Sequence, residues 1–174
     1  MPTARHLSQG LVRAEGWIGS GSGAFFGSAG INQFLDAQIS VDRFGSDPGR
    51  PTAAFAYYYL TPIADITPGI SGGLLDVANA TSDGRRAYAC ASLNRALHGL
   101  ERFGYTEITA GIEVGRRAAP IGGVRLPIAR AASLLGEYDG FRFNAGVELR
   151  FSAGSYARIL ARGGVLYAVL GFRG

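Results

Sequence analysis

Lysine is missing from this chain of 174 residues: all 17 of its basic residues are arginine. Together with 13 acidic residues this leaves a formal charge of +4 and a pI near 9.6. Guanidinium forks match phosphates and carboxylates in two-point contacts, so lipopolysaccharide phosphates or carboxylates inside the protein are the partners such a composition suits; an ordinary solvated arginine surface is the blander reading. The basic residues are spread along the chain rather than gathered in one stripe, which argues against nucleic-acid binding despite the neighbouring aromatics. Cys90 is the sole cysteine, which excludes an intramolecular disulfide and a cysteine-based zinc cluster. His6 and His98 are the only histidines. No His-x-x-x-His or carboxylate spacing accompanies them, so neither a metal nor a cofactor is expected.

Long apolar runs are absent too. Although 47% of the residues are hydrophobic, no segment approaches the ~18 to 20 uncharged apolar residues of a membrane-spanning helix. If the chain enters a bilayer it must do so as a closed barrel, the one alternative that satisfies every backbone hydrogen bond in lipid. The N-terminus, Met-Pro-Thr-Ala-Arg-His-Leu-Ser-Gln-Gly, lacks the charged start, apolar run and small-residue cleavage site of a secretory signal. The expectation is therefore either the mature or truncated part of a longer exported chain, or a soluble protein.

What the chain does have is alternation. From Phe141 to Phe151, Phe141, Phe143, Ala145, Val147, Leu149 and Phe151 share one face, and Arg142, Asn144, Gly146, Glu148 and Arg150 the other. A soluble strand averages ~5 or 6 residues, whereas a tilted bilayer-crossing strand needs ~9 to 11. The same pattern recurs where Leu35, Ala37, Ile39 and Val41 alternate with Asp36, Gln38, Ser40 and Asp42. It appears again where Ile108, Ala110, Ile112 and Val114 alternate with Glu107, Thr109, Gly111 and Glu113. Twenty-seven glycines and eighteen Phe or Tyr residues suit a barrel, with small residues in the lumen and aromatics at the interfaces.

Turn signals at Ser46-Asp47-Pro48-Gly49, Ser82-Asp83-Gly84, Pro120-Ile121-Gly122-Gly123, Asp139-Gly140, Ala153-Gly154-Ser155 and Gly163-Gly164 cut the chain into short segments. Further strand candidates are 11–19, 52–60, 63–75, 86–97, 124–132 and 164–173. Residues 86–103 read as strand then turn, although Leu93, Ala96, Leu97, Leu100 and Phe103 also form a helical stripe that would make the fold α+β. Nine candidates result, whereas single-chain bacterial barrels have even counts. Pro68 and Pro127 mark the segments most open to error, because proline cannot donate to a central ladder. The predicted fold is all-β, a single domain over 1–174 with a flexible segment 1–10. It is an antiparallel meander closed into a transmembrane β-barrel of roughly eight strands, the size at which side chains fill the lumen; a soluble β-rich or α+β domain is the alternative.

With polar faces inward, Asp36, Asp42, Glu107, Glu113, Arg142, Glu148 and Arg150 form a lumen network of mutually neutralising ions. A path for ions or solutes would need a wider barrel. Gly69-Ile70-Ser71-Gly72-Gly73 matches the G-x-S-x-G nucleophile pattern, with His98 and Asp76 or Asp83 available as base and orienter. That pattern demands a sharp strand-to-helix turn, and Leu74 to Asn79 is a poor helix, so a soluble serine hydrolase stands as the alternative function, beside a small-ligand-binding β protein. Gly19-x-Gly21-x-x-Ala24 has no βαβ unit around it and reads as a loop. Tyr57, Tyr58, Tyr59, Phe25, Phe26, Phe103, Tyr105, Tyr156, Tyr167 and Phe172 are expected at the bilayer interfaces.

The ending Gly-Val-Leu-Tyr-Ala-Val-Leu-Gly-Phe-Arg-Gly, after the strand closing Val-Glu-Leu-Arg-Phe, resembles the final strands of small bacterial outer-membrane β-barrel proteins. The likeness covers residues 104–174 well and the first half loosely. In that class the last strand commonly closes with a C-terminal aromatic read by the assembly machinery; here Phe172 stands two residues before the end. The resemblance implies a porin-like barrel in the bacterial outer membrane, in contact with lipid or lipopolysaccharide and with envelope proteins. Its implied role is structural, adhesive or in envelope transport, either alone or as the barrel part of a longer envelope or polysaccharide-export protein. It carries no catalytic residues, and the His and Ser pairing of a lipid A deacylase is not found.

Overall fold

The structure, a computed structural model, describes residues 7, 9–43, 49–81 and 83–174, with backbone alone at Asp42 and Arg43. The expectations for His6, for most of segment 1–10, for Ser46-Asp47-Pro48 and for Ser82 lie outside these residues, as does the side chain of Asp42.

Twelve antiparallel strands follow one another: β1 (Val12–Gly19), β2 (Ser22–Gly30), β3 (Leu35–Arg43), β4 (Pro51–Leu60), β5 (Gly69–Leu75), β6 (Arg86–Arg95), β7 (Thr106–Val114), β8 (Ala118–Ala129), β9 (Ala132–Tyr138), β10 (Phe143–Arg150), β11 (Ser155–Arg162) and β12 (Val165–Arg173). Each pairs with its sequence neighbours, and β1 closes on β12 from Arg13↔Arg173 to Gly19↔Tyr167. A closed meander leaves no edge with unpaired backbone groups. Both ends of the ladder, Val12 and Arg173, lie at one rim, here the terminal rim; the turns at 20–21, 76–85, 115–117, 139–142 and 163–164 lie at the other, the far rim.

Twelve strands, not eight, is the principal correction to the sequence reading. Three strands had been passed over. In β2, Ser-Gly-Ala-Phe-Phe-Gly-Ser-Ala-Gly offers small residues on both faces and almost no contrast between them. In β9 and β11, an outward Leu134 or Ile159 is followed by an inward Leu135 or Leu160, and alternation of hydrophobicity vanishes where the lumen is itself apolar. The expected strand 124–132 is in fact the end of β8, the turn Arg130-Ala131 and the start of β9. Pro127 is held in β8 because the ladder shifts register between Pro127 and Ala129, a bulge that relieves the missing N–H. Pro68 precedes β5, and the expected strand 63–75 shortens to Gly69–Leu75. Residues 86–103 are strand, turn and one short 3-10 turn at Glu101–Phe103. Gly19 to Ala24 forms a two-residue hairpin, and Gly163-Gly164 joins β11 to β12 with φ of 56° and 84°, the doubly positive geometry that matches strand twist.

The two faces of the wall differ sharply. Outward positions expose apolar side chains, among them Ile18 at 74%, Phe143 at 69% and Leu166 at 68%. Among the described outward side chains of the strands, the only charged one is Arg95, the last residue of β6. Inward positions hold the acidic residues Glu15, Asp36, Glu107, Glu113 and Glu148, all buried. Two apolar patches share the lumen with them: Tyr88, Cys90 and Ile121 on one wall, and Leu160, Tyr167 and Val169 on the other. Glycine makes room for the larger side chains there, since a Cβ at Gly171 would run into the Tyr156 ring and one at Gly146 into Leu160.

Candidate functional site

The lumen wall is dominated by one arginine-rich network. Glu148 on β10 accepts from Arg125 Nη2 at 2.7 Å, from Arg150 Nε at 3.2 Å and from Arg158 Nε at 2.8 Å. Period-two geometry puts Glu148 and Arg150 on the same face, and register sets Glu148 beside Ser133 on β9 and Arg158 on β11. Arg125 reaches across β9 and also donates to Ser133 Oγ at 3.1 Å. Arg158 extends the network around the closure seam, with Nη1 3.5 Å from Glu15 Oε1. Glu15 in turn lies 3.8 Å from Arg13 Nε, accepts from Trp17 Nε1 at 3.2 Å and accepts from the Tyr156 hydroxyl. The Arg158 guanidinium also stacks over the Tyr156 ring, 4.5 Å from its centroid. Four guanidiniums thus surround two carboxylates, leaving this network positive by two charges.

The sequence-derived lumen residues divide among several places. Glu148 and Arg150 sit together in this network. Glu107 is buried on β7, in register with Arg125. Glu113 pairs separately with Arg86 at 2.9 Å, near the far rim. Asp36 is buried near the terminal rim, where its Oδ2 accepts the backbone N–H of Leu7 at 2.9 Å; Leu7 is itself 5% exposed, so the chain ahead of β1 is drawn into the lumen at that residue. Arg142 is not in the network: it is exposed in the loop before β10, with its N–H donating to Asp139 Oδ1 at 2.8 Å. Sequence reasoning missed Arg13, Glu15, Arg125, Tyr156 and Arg158. Arg13 and Glu15 do alternate with Val12, Ala14 and Ile18, but nothing local shows that β1 closes beside β12.

The hydrolase alternative finds no support in the geometry. Ser71 is inward on β5, 1% exposed, with Oγ 3.2 Å from Cys90 Sγ. His98 is fully exposed in the 96–105 loop at the terminal rim, 3.6 Å from Glu101, whereas Asp76 and Asp83 belong to the 76–85 loop at the far rim. No strand-to-helix elbow exists at Ser71 because β5 runs through it. Several aromatics expected at the interfaces instead face inward: Tyr58, Tyr156 and Tyr167 line the lumen, and Phe26 and Trp17 meet at 5.5 Å between centroids. Phe34, Tyr57 and Tyr59 do form an outer cluster at the terminal rim, with centroid separations of 6.0 and 4.9 Å.

Asp76 has a different task. Its carboxylate accepts from Thr52 Oγ1 at 2.5 Å, Ala80 N at 2.7 Å, Thr81 N at 2.8 Å and Thr81 Oγ1 at 2.6 Å, tying the far-rim loop to the start of β4. Burial opposes its ionisation, but the hydrogen bonds from Thr52, Thr81 and Ala80 outweigh it and hold the carboxyl down at about 2. A depressed folded value contributes stability above the unfolded value near ~3.9 that is lost as pH falls through the folded one. Asp76→Asn is therefore expected to cost about 2 kcal/mol at neutral pH. In urea titrations of both proteins from pH 7 to 2, the gap should narrow below about pH 4; a gap independent of pH would show that the charge contributes nothing.

No family model matches this chain, and no curated protein matches it in sequence. Among solved structures the chain is similar to one described as a KdgM porin, with a TM-score of 0.59 and 10% identity over 94% of this chain and 97% of that one. At that identity the likeness is one of fold. The chain has a porin-like β-barrel fold, and it resembles the small outer-membrane β-barrels.

Proposed function

We propose that this protein is a porin-like channel of the bacterial outer membrane, passing small polar solutes with a preference for anions. The observation that carries this reading is the segregation of the two faces: an outer wall whose described strand side chains are uncharged apart from Arg95, around a lumen lined by ionic pairs. Lipid tolerates no unpaired backbone, and a closed ladder supplies none to it. A charge on the lipid-facing side is costly in proportion to its depth, which explains why the one outward charge among the described strand side chains is at a strand end.

Strand number bears on transport as well. At eight strands a lumen is filled by its own side chains, and barrel diameter grows with strand count, so the twelve-strand ring is wider than one of that kind. The two excess positive charges of this network favour anions in that space. Transport fits better than adhesion because the connections are short, none exceeding the segments 76–85 and 96–105, and offer little surface to a macromolecular partner.

The reading is tested by reconstituting the purified chain into planar bilayers. Discrete conductance steps, with a reversal potential in a salt gradient that indicates anion preference, are expected. A folded, heat-modifiable barrel that yields no steps would remove the channel function while leaving the membrane barrel intact.

A further inference from the structure

At the far rim, the turn 115–117, the start of β6 and the loop 139–142 enclose a pocket lined by Asp83, Arg86, Gly115, Arg116, Arg117 and Phe141. We propose that this pocket binds a phosphate group, as carried by a phosphorylated lipid headgroup or by a soluble phosphate. Its geometry is outside the lumen network and the inference goes beyond the channel reading, although the headgroup source presupposes a barrel seated in a membrane.

Three guanidiniums converge here against one lining carboxylate. A backbone bond from Gly115 N to Arg117 O, 3.1 Å, tightens the turn and presents two consecutive arginines at its tip. Neither Arg116 nor Arg117 forms an ion pair with a carboxylate among the described residues. Arg117 instead lies over Phe141, 4.8 Å from the ring centroid, a contact with the guanidinium face that does not use its N–H donors. Arg86 is anchored from below by Glu113 at 2.9 Å and lies 4.0 Å from Asp83, and its Nε is buried without a partner. A buried donor left unmade is costly, and the side chain that carries it is one of those lining the pocket. The surroundings select a tetrahedral oxyanion over a carboxylate solute: three guanidiniums approach from two elements, β6 and the 115–117 turn, which suits an acceptor with three free oxygens. Tyr138 and Phe143 stand on the adjacent outer wall beside Phe141, the place where aromatic rings mark the headgroup level.

The experiment compares the 174-residue chain with its Arg116→Ala/Arg117→Ala and Arg117→Lys variants, all in the same detergent. Titration calorimetry with inorganic phosphate reads the pocket itself. Flotation with vesicles containing lipid A or its dephosphorylated form reads the source. Unheated gel migration and conductance steps, measured on the same samples, separate a failed fold or a failed channel from a failed site. Expected is a loss of phosphate affinity of about ten-fold or more in the double variant, and a smaller loss for Arg117→Lys, which keeps the charge but not the fork. Preference of the wild type for phosphorylated vesicles, abolished in the double variant, assigns the site to a headgroup; phosphate binding without that preference assigns it to a soluble phosphate. Equal phosphate affinity in wild type and folded double variant overturns the proposal, as does an absence of phosphate binding by the wild type in both formats.

Discussion

Val147→Arg is expected to destabilise the barrel in a bilayer by about 2–4 kcal/mol, the cost of an arginine on the lipid face near the midplane. Val147 is outward in the middle of β10, in register with Leu134 on one side and Ile159 on the other, so a guanidinium there has only apolar neighbours. The internal control is Phe143→Arg, on the same face at the end of the same strand, where the cost should fall to about 0–1 kcal/mol because the side chain reaches the interface. Urea titration of folding into lipid vesicles measures both. A surface bathed in water would take either arginine within about 0.5 kcal/mol. Two equal and small values would therefore mean that β10 does not face lipid. The comparison isolates depth, since strand, face and introduced charge are the same.

The second large effect is expected at Glu148. Glu148→Gln preserves shape but removes the carboxylate that Arg125, Arg150 and Arg158 share at 2.7 to 3.2 Å. Leaving several confined guanidiniums uncompensated should cost about 3–5 kcal/mol, as when one partner of a buried pair is deleted. Arg150 is half exposed and will contribute least, while Arg125 and Arg158, each about one-fifth exposed, will contribute most. A double-mutant cycle with Arg158→Met should recover part of the loss, because deleting the cation removes the charge that Glu148→Gln strands. The same substitution raises the network's positive excess from two to three, so reversal potentials should move further toward anions. A nearly neutral Glu148→Gln would show instead that lumen water solvates the arginines, and would weaken the case that this network shapes the passage. Stability and selectivity thus report on the same carboxylate by independent measurements.

How far these features can be read before folding depends on the strand. In β10, apolar residues alternate without exception with polar residues or glycine, so strand, faces and the neighbourhood of Glu148 and Arg150 are legible from spacing alone. The same holds for β3 and β7. In β9 and β11 the rule that makes a strand visible breaks down, because Leu135 and Leu160 point into a lumen patch with Tyr167 and Val169 while Leu134 and Ile159 point outward. Apolar residues on both faces erase period two, and the strand is then recognisable only by its partners. Tyr58, Tyr156 and Tyr167 were misassigned to the interfaces for a related reason: an aromatic near a strand end satisfies the girdle pattern whichever way it points.

Composition and spacing by themselves determined that this chain is β, that its strands carry one apolar and one polar face, and that no single segment can cross a membrane as a helix. These are local properties, set by side-chain alternation within a few residues. The number of strands, the closure of β1 on β12 and the identity of each ion's partners were decided only by the tertiary structure. Glu15 meets Arg158 and Tyr156, far away in sequence, because the ring closes and places β1 next to the last hairpin. Ring size and lateral neighbours follow from the combined register of all twelve strands, a quantity that no single stretch of sequence contains.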